Sequence, residues 1–574
     1  MRVALLKRAL VGAPMPLAQA RHERLRKRVA LAVFSSDAMS SVAYATEEVL
    51  LILVLAGTVA LHFALPIAIA ITTLLVIVVL SYQQTIHAYT NGGGAYIVAR
   101  DNLGDVPGLV AAGALLVDYV LTVSVSVAAG VAAVTSAIPS LQNHKVALGV
   151  ACIAGIAIAN IRGVRESGRV FAIPTYFFIV SFGVLLLGGL YRFVTGTMPP
   201  AEPPALLPAE SLTWFLVLRA FSSGCVAMTG TEAISNGIPA FRAPESRNAA
   251  ITLAWMAVVL GTLFVGITLL ANALGVVPAE HETVVSQIAR RLYGTGTIYY
   301  LIQAATALIL VLAANTSFAD FPRLSSLLAR DRFVPRQFAN LGERLVFSNG
   351  ILVLAAMAAV LLVIFRGETH ALIPLYAVGV FISFTLSQSG MVKRWLRVRT
   401  AGWQSRLAIN AVGAMATGVV TLVIAVTKFT HGAWIVVLVI PTLVAAFIAM
   451  RQHYDDVAEQ LSLEGWEGPP KMQHIVLVLI GDVHRGVVRA VEYARTLSGN
   501  APVRAVFVET DPAKTAKLEE KWGKWGQGVP PEFIPRRWWQ HILHNQTALL
   551  LKGALLFRRN TVVADVPYLL RRAG

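Results

Sequence analysis

Long apolar runs, separated by short polar loops, occupy this chain from about residue 30 to about residue 450. A helix needs about 20 mainly apolar residues to cross the hydrocarbon core of a bilayer, and the runs have this length. The pattern predicts an α-helical polytopic membrane protein with twelve transmembrane helices. The predicted spans are residues 30–56, 62–88, 107–138, 146–162, 170–194, 211–239, 249–274, 297–320, 346–365, 370–392, 406–427 and 432–450.

The loops on the two sides of the predicted spans differ in charge. Lys and Arg concentrate in the N-terminal segment and in the loops after even-numbered spans, and cytoplasmic loops are where such an excess is found. Examples are Arg162, Arg165 and Arg169 after span four and Lys393, Arg394, Arg397 and Arg399 after span ten. We therefore expect a multi-pass protein of the bacterial inner membrane with both termini in the cytoplasm. Residues 1–28 form a basic tail and residues 29–451 the membrane domain.

The composition agrees with this architecture and limits the function. Of 574 residues, 56% are hydrophobic and 14% are charged, whereas soluble domains carry about 25% charged residues. Basic cytoplasmic loops account for the net charge of +17, so we expect the lipid bilayer and no nucleic acid as a partner. The region after the last apolar run shows no kinase or other catalytic motif, and we expect neither enzyme activity nor a cofactor.

The character of the sequence changes after the last apolar run. Residues 474–480 form an apolar run of strand length, GDVHRG at 481–486 predicts a turn, and an amphipathic stretch continues to Leu497. A second strand follows at 503–508. This order predicts a parallel strand pair with a crossover helix, and so a small cytoplasmic α/β domain at 452–574. The basic remainder, with KWGKWGQG and PRRWW, fits either a membrane-surface segment or a packed, partner-binding face.

Small polar residues interrupt two of the predicted spans. Span one contains FSSDAMSS at 34–41, and span six contains FSSG at 221–224 and MTGTE at 228–232. The two interruptions are five spans apart, as a five-plus-five inverted repeat with broken helices requires. A further polar stretch, NGGGAY at 91–96, permits either a close approach of two backbones or a flexible loop.

Three acidic residues lie inside the apolar spans: Asp37, Asp118 and Glu232. A charge at the bilayer centre costs about 2.5–3.5 kcal/mol on insertion scales, so such residues usually serve a function. The only basic residue in spans one, three and six is Arg219, which lies too far along its span to pair readily with them. Unpaired carboxylates need a cation or a proton. The alternatives are hydrogen bonds that tie helices together and, for Asp37, capping of the second half of its broken helix.

These motifs resemble those of the amino acid-polyamine-organocation (APC) superfamily, whose members have a LeuT-like 5+5 inverted repeat. The broken first span, GGGAY at 92–96 and GTEA at 230–233 carry the resemblance, which covers about residues 28–450. Within the superfamily, SSDAMSSVAYATEEVL resembles the KUP branch of potassium transporters, and specifically the KimA-type importers. There, as here with Asp37 and Tyr44, an Asp and a Tyr in the first span are seven residues apart.

The resemblance implies a function and a set of site residues. The function is secondary active K⁺ import, by H⁺/K⁺ symport with alternating access. The implied K⁺-binding residues are Asp118, Thr229, Thr122, Tyr44 and Tyr376, and the implied proton-coupling or gating residues are Asp37 and Glu232. Without the resemblance, the Thr and Tyr residues would be assigned to packing or to back-bonding within helices. The resemblance also implies that the domain at 452–574 is regulatory, forms a homodimer and binds a cyclic dinucleotide.

Two other functions are compatible with the sequence. The first is a proton-coupled amino acid permease of the same superfamily. Such permeases have a glycine-rich break in span one whose amides bind the substrate carboxylate, whereas the carboxylate of Asp37 would repel that group. The second is a sensor with the C-terminal domain as its output. One K⁺ does not neutralise three carboxylates. If the chain is a K⁺ transporter, we therefore expect one of them, either Glu232 or Asp37, to exchange a proton. Glu47 and Glu48 are expected to face an outer vestibule.

Overall fold

The computed structural model describes residues 24–90, 92, 94–162, 168–200, 208–342, 346–462, 464, 475–499, 501–509 and 512–535. Most of the predicted basic tail and the RRWW part of the PRRWW motif therefore lie outside the described residues. The chain divides into two compact units, residues 1–460 and 461–574. Each unit is described by itself.

The first unit is helical. Nine of its described segments are long and apolar enough to cross a membrane, so the chain is a multi-pass membrane protein. They contain α4, α6, α7, α8, α11, α13, α15, α16 and α17 as defined next. The helices are α1 (Lys27–Phe34), α2 (Ser36–Ser40), α3 (Val42–Leu53), α4 (Ala64–Ala88), α5 (Ala95–Leu103), α6 (Asp105–Ala137), α7 (Lys145–Ile161), α8 (Gly168–Val194), α9 (Trp214–Gly224), α10 (Ala233–Asn236), α11 (Glu245–Ala273), α12 (Val284–Tyr293), α13 (Thr297–Arg330), α14 (Ser348–Ile364), α15 (Thr369–Val398), α16 (Trp403–Lys428) and α17 (Ala433–Gln460).

Predicted spans one, six and nine contain shorter helices. Span one is divided into α1, α2 and α3, and span six into α9, a 3-10 turn at Cys225–Met228, and α10. Span nine holds α14, which has 17 residues. Because length and composition select nine segments in the described chain, the count of twelve spans and the inverted repeat stay predictions.

Local chemistry explains the two broken helices. In span one, Ser40 Oγ donates to the carbonyl of Asp37 at 2.7 Å, and Ser41 Oγ donates to that of Ala38 at 2.6 Å. Such back-bonds compete with the regular backbone ladder and favour bends. In span six, Gly230 has φ +75°, a conformation that costs an L residue roughly 1–2 kcal/mol. The helix therefore ends before this glycine and restarts after it.

Helix α6 lies at the centre of the first unit. Its main neighbours are α13 and α15, and 83% of its most apolar window is buried. The windows of α8, α16 and α17 are each only 28% buried, and they expose apolar side chains such as Ile173, Met415 and Leu438. The outer helices thus present an apolar surface suited to lipid, while α6 can carry polar groups away from it.

The polar stretch after span two packs closely against span six. A Cβ on Gly92 would lie 3.2 Å from the backbone oxygen of Asn236, and one on Gly94 would lie 2.8 Å from its Oδ1. Of the two interpretations, the close approach of two backbones therefore applies to Gly92 and Gly94. Next in the chain, Tyr96 donates to Asp331 at 2.6 Å. Burial and this hydrogen bond raise the pKa of the Tyr96 hydroxyl well above its ordinary value.

The second unit contains a three-stranded parallel sheet. Its strands β1 (Val476–Leu479), β2 (Val503–Glu509) and β3 (Pro531–Pro535) lie in the order β1-β2-β3. Helix α18 (Arg485–Ser498) joins the first two strands, and α19 (Pro512–Trp525) the last two. The predicted parallel pair is observed, with Val476 opposite Val503. Sequence reasoning missed α19 and β3 because that stretch has no clear hydrophobic period.

The Trp-rich motif in α19 has two different environments. Trp522 is buried in the core of the second unit, and its Nε1 donates to the carbonyl of Val529 at 2.9 Å. Trp525 is 62% exposed. Trp522 is therefore packed inside the domain, whereas Trp525 offers a surface on which a partner or a membrane could lie.

Candidate functional site

The three predicted acidic residues meet at one small cavity inside the first unit. Asp37 comes from α2, Asp118 from α6, and Glu232 from the turn before α10. All three side chains are buried. The cavity leaves about 10 Å³ for the centre of a water-sized sphere, which is about the room one water molecule needs. A K⁺ ion is of similar size. The lining residues are Asp37, Asp118, Tyr119, Gly230, Glu232, Ala233, Asn236, Thr316, Ser317 and Asp320.

The two helix breaks bring these residues together. Ser41 Oγ of the first break donates to the carbonyl of Ala227 in the second at 3.1 Å. A Cβ on Gly230 would lie only 2.6 Å from Asp37 Oδ2. Because Gly230 has no side chain, the turn of span six can approach the Asp37 carboxylate closely.

Two carboxylates in the cavity have an unsatisfied oxygen. Oδ1 of Asp37 and Oδ1 of Asp118 are buried without a hydrogen-bond partner. In the part of the chain that the structure describes, neither residue nor Glu232 forms an ion pair with Lys, Arg or His. Arg219 is 3.4 Å from Glu210 instead. A buried carboxylate without a partner is costly, so this arrangement favours a bound cation or proton.

The two alternatives to a ligand site are not seen in the described contacts. Asp37 lies in the first turn of α2, but no side chain caps α2 or α3. Asp118 tied to a neighbouring helix would use its oxygens as acceptors, and its Oδ1 has no donor. Both acids therefore keep an oxygen for something other than holding helices together.

Glu232 has polar neighbours on both sides of its helix break. Its Oε2 accepts from Ser383 Oγ at 3.4 Å and from Tyr82 OH at 3.5 Å. These distances lie at the long end of hydrogen-bond geometry. Across the described residues, no three of the His, Cys, Asp and Glu side chains converge to hold one metal ion. A monovalent cation here would need neutral oxygens as ligands in addition to carboxylates.

The four predicted hydroxyl residues lie beside the cavity and do not line it. Thr122 Oγ1 donates to Tyr376 OH at 2.9 Å, which joins α6 to α15. Thr229 Oγ1 donates to the carbonyl of Val226 at 2.9 Å, the back-bond that is ordinary for Thr. Tyr44 OH faces Thr229 but forms no hydrogen bond of regular geometry. All four side chains are buried, and the charges of Asp37 and Asp118 act on both tyrosines.

Sequence reasoning missed Asp320, which lines the same cavity from α13. It lies at the edge of predicted span eight, and Pro322 two residues later suggests a helix end. The helix nevertheless continues to Arg330, so Asp320 is inside it. An acid at the end of an apolar run was the available signal.

Sequence reasoning also missed four other residues that line the cavity, because such polar residues are common in membrane helices. They are Tyr119, Asn236, Thr316 and Ser317.

Another acidic pair, Glu47 and Glu48, lies farther along α3 from Asp37 and is held by a histidine. His370 Nδ1 lies 2.5 Å from Glu48 Oε1, and its Nε2 lies 3.5 Å from Glu47 Oε1. Glu47 Oε2 also accepts from the backbone N–H of Val284 at 3.2 Å. Both glutamates are buried, so in this structure they do not face an open vestibule.

Comparisons with known proteins agree with the predicted family. Residues 28–454 match the family model described as amino acid permease. Residues 472–530 and 529–568 match the model of the KimA potassium transporter C-terminal domain.

Two relatives cover different shares of the chain. The potassium transporter KimA of Bacillus subtilis (strain 168) is 43% identical over 602 aligned residues, which cover 98% of this chain and 99% of the relative. A probable potassium transport system protein, Kup 1 of Bradyrhizobium sp. (strain ORS 278), is 24% identical over 61% of this chain and 56% of the relative. The chain therefore belongs to the amino acid permease family and is a homologue of the KimA potassium transporter.

Proposed function

We propose that the protein is a secondary active potassium importer of a bacterial inner membrane. The single observation that carries this proposal is the cavity with Asp37, Asp118 and Glu232, where no described basic residue neutralises the carboxylates. The names of its two relatives supply the identity of the cation. An amino acid would bring its own carboxylate toward Asp37, which is electrostatically unfavourable.

The predicted site residues divide into two roles under this proposal. A carboxylate about 3 Å from a monovalent cation gains on the order of 5 kcal/mol at an effective dielectric of 20. One such contact does not replace a hydration shell, so neutral oxygens must complete the coordination. We assign K⁺ binding to Asp118 with Thr122, Thr229, Tyr44 and Tyr376. Side-chain rotations would have to turn these hydroxyls toward the cavity.

Growth rescue tests this function. A bacterium that lacks its own K⁺ uptake systems should grow at low K⁺ when it expresses this chain. K⁺ and Rb⁺ should compete for uptake, and amino acids should have no effect. Uptake that an amino acid blocks and that ignores K⁺ and Rb⁺ would favour the permease alternative.

Proton coupling is the second part of the proposal, with Glu232 or Asp37 as the proton carrier. Glu232 is buried, and the two hydrogen bonds that it accepts from described residues are long, so it can gain and lose a proton without breaking a strong described contact. We expect Glu232→Gln to transport Rb⁺ at a rate that no longer follows the proton gradient across vesicles. Rb⁺ uptake with and without an imposed pH gradient measures this.

The matched control for that variant is Glu245→Gln, which removes a partly exposed glutamate paired with Arg24 at the start of α11. It should keep the wild-type dependence on the gradient. If Glu232→Gln also keeps it, the proton is carried elsewhere, and Asp37→Asn is the next variant to measure. Wild-type K⁺ uptake that carries no protons would exclude symport altogether.

Alternating access completes the proposed mechanism. We assign the twelve predicted spans to a 5+5 inverted repeat in which the broken spans one and six rock against the rest. The breaks at Ser41 and Gly230 supply the points where these helices can bend. With both termini in the cytoplasm, the Asp320 side of the cavity faces inward, and His370 with Glu47 and Glu48 faces outward.

The second unit is assigned to regulation and to dimerisation. The match to the KimA C-terminal domain model and the exposed Trp525 support this assignment. Light scattering in detergent should give the mass of a homodimer for the full chain. A chain that ends at residue 460 should give the mass of a monomer, and a dimer there would contradict the assignment. Addition of a cyclic dinucleotide to the full chain should reduce Rb⁺ uptake.

A further inference from the structure

We propose that Asp320 is the carboxylate that receives K⁺ as the ion leaves the cavity toward the cytoplasm, and that Arg323 is a tethered cation that takes the place of the ion. The assignment deepens the proposed function and rests on it. It concerns a residue and a step for which the sequence motifs provided no candidate.

Asp320 differs from the other three cavity acids in position and in exposure. It reaches the cavity from α13, whereas Asp37, Asp118 and Glu232 come from α2, α6 and the break in span six. Its side chain is 17% exposed, while the other three acids are each below a tenth exposed. Asp320 is therefore the cavity acid that solvent reaches most easily, and an outgoing ion would meet it last.

The inner part of the cavity contains two unsatisfied carboxylate oxygens. Oδ1 of Asp37 and Oδ1 of Asp118 are buried and have no hydrogen-bond partner, although they line the same space as Asp320. The charge of Asp320 acts on Asp37 and on Glu232. A cation in the cavity would thus be attracted by Asp320 as well as by the inner acids, and no described ion pair involves Asp37 or Asp118.

Neutral oxygens for such an ion lie on the same face of α13. Thr316 and Ser317 precede Asp320 by four and three residues, so their side chains stack beside it on the helix. Both also line the cavity. Thr316 Oγ1 donates to the carbonyl of Ala313 at 2.7 Å, which leaves its lone pairs to face a cation.

Arg323 supplies the replacement charge. Its Nη1 lies 3.9 Å from Asp320 Oδ1, at the outer limit of an ion pair, and its side chain is 52% exposed. A contact this long and this exposed to solvent is weak, so K⁺ can displace it. After K⁺ has left, the guanidinium restores a partner to Asp320 without entering the cavity. The competing interpretation is a surface i,i+3 pair that only supports α13.

Transport measured from each face of the membrane separates these interpretations. Right-side-out vesicles report Rb⁺ binding from the outer face, and inverted vesicles report it from the inner face. For Asp320→Asn we expect the half-saturating Rb⁺ concentration to rise about tenfold at the inner face, equivalent to about 1.4 kcal/mol, and to stay near wild type at the outer face. For Arg323→Gln we expect it to fall at the inner face, because the competing cation is gone.

The controls are exposed residues of the same charge that no described ion pair involves, Asp101→Asn and Arg330→Gln. Both should match the wild type at both faces. Equal changes at both faces, or no change in either Asp320→Asn or Arg323→Gln, would overturn the assignment. Arg323→Gln keeps the carboxylate, so it decides the question even if Asp320→Asn does not accumulate. A wild-type chain that moves no Rb⁺ would overturn the proposed function itself, and this assignment with it.

Discussion

Asp118→Asn is expected to abolish K⁺ uptake while the protein still folds and reaches the membrane. Asn has the shape of Asp but no charge, so the variant removes the attraction between the carboxylate and the ion. That attraction is on the order of 5 kcal/mol at an effective dielectric of 20, which corresponds to more than a thousandfold loss of affinity. Rb⁺ uptake into cells, together with the amount of protein in the membrane fraction, measures the effect.

The side chain of Asp118 makes this a clean test. Its Oδ1 has no hydrogen-bond partner, so the substitution breaks no described contact and little stability should be lost. The matched control is Asp105→Asn, at the start of the same helix. Asp105 pairs with Arg100 and Arg451 at half-exposed positions, and such pairs contribute only about 0–1 kcal/mol. Wild-type uptake by Asp118→Asn would remove Asp118 from the site.

The sequence was most informative at polar residues that lie inside long apolar segments. Asp37, Asp118 and Glu232 stand out in apolar runs because a charge in lipid must have a reason. The structure places all three at one cavity, although their direct contact with K⁺ stays a prediction. The break in span one could also be predicted, because serine hydroxyl groups that bond to backbone carbonyls favour a bend.

Other parts of the site could not be derived from the residues alone. Nothing in the pattern distinguishes Tyr376 from any other membrane tyrosine, and only the family resemblance singled it out. Its hydrogen bond to Thr122 joins residues that are 254 positions apart. Asp320 was missed because Pro322 follows it closely, and a Pro inside an apolar run resembles a helix end. Long-range contacts and helix ends at proline depend on tertiary packing, which a single sequence does not display.

Gly230→Ala is expected to abolish transport and to destabilise the membrane unit. Gly230 has φ +75°, which costs an L residue roughly 1–2 kcal/mol. The new Cβ would also lie 2.6 Å from Asp37 Oδ2 and 2.8 Å from the backbone nitrogen of Ala38. A backbone atom cannot rotate away as a side chain can, so the two helix breaks must separate. Forced overpacking of this kind costs typically 1–3 kcal/mol more.

Gly294→Ala separates the backbone strain from the clash. Gly294 has φ +67°, nearly the same as Gly230, but a Cβ there would meet nothing within 4 Å. Its ψ of −161° lies in a region that is essentially confined to Gly and costs other residues about 1–3 kcal/mol, so Gly294→Ala should lose that much stability from strain alone and keep its Rb⁺ uptake. Thermal unfolding of the two variants in detergent, with uptake measured alongside, makes the comparison. If Gly230→Ala transports as well as Gly294→Ala, the close approach of Gly230 to Asp37 is not needed for the site. If it fails while Gly294→Ala works, the contact between the two breaks is what holds Asp37 in the cavity.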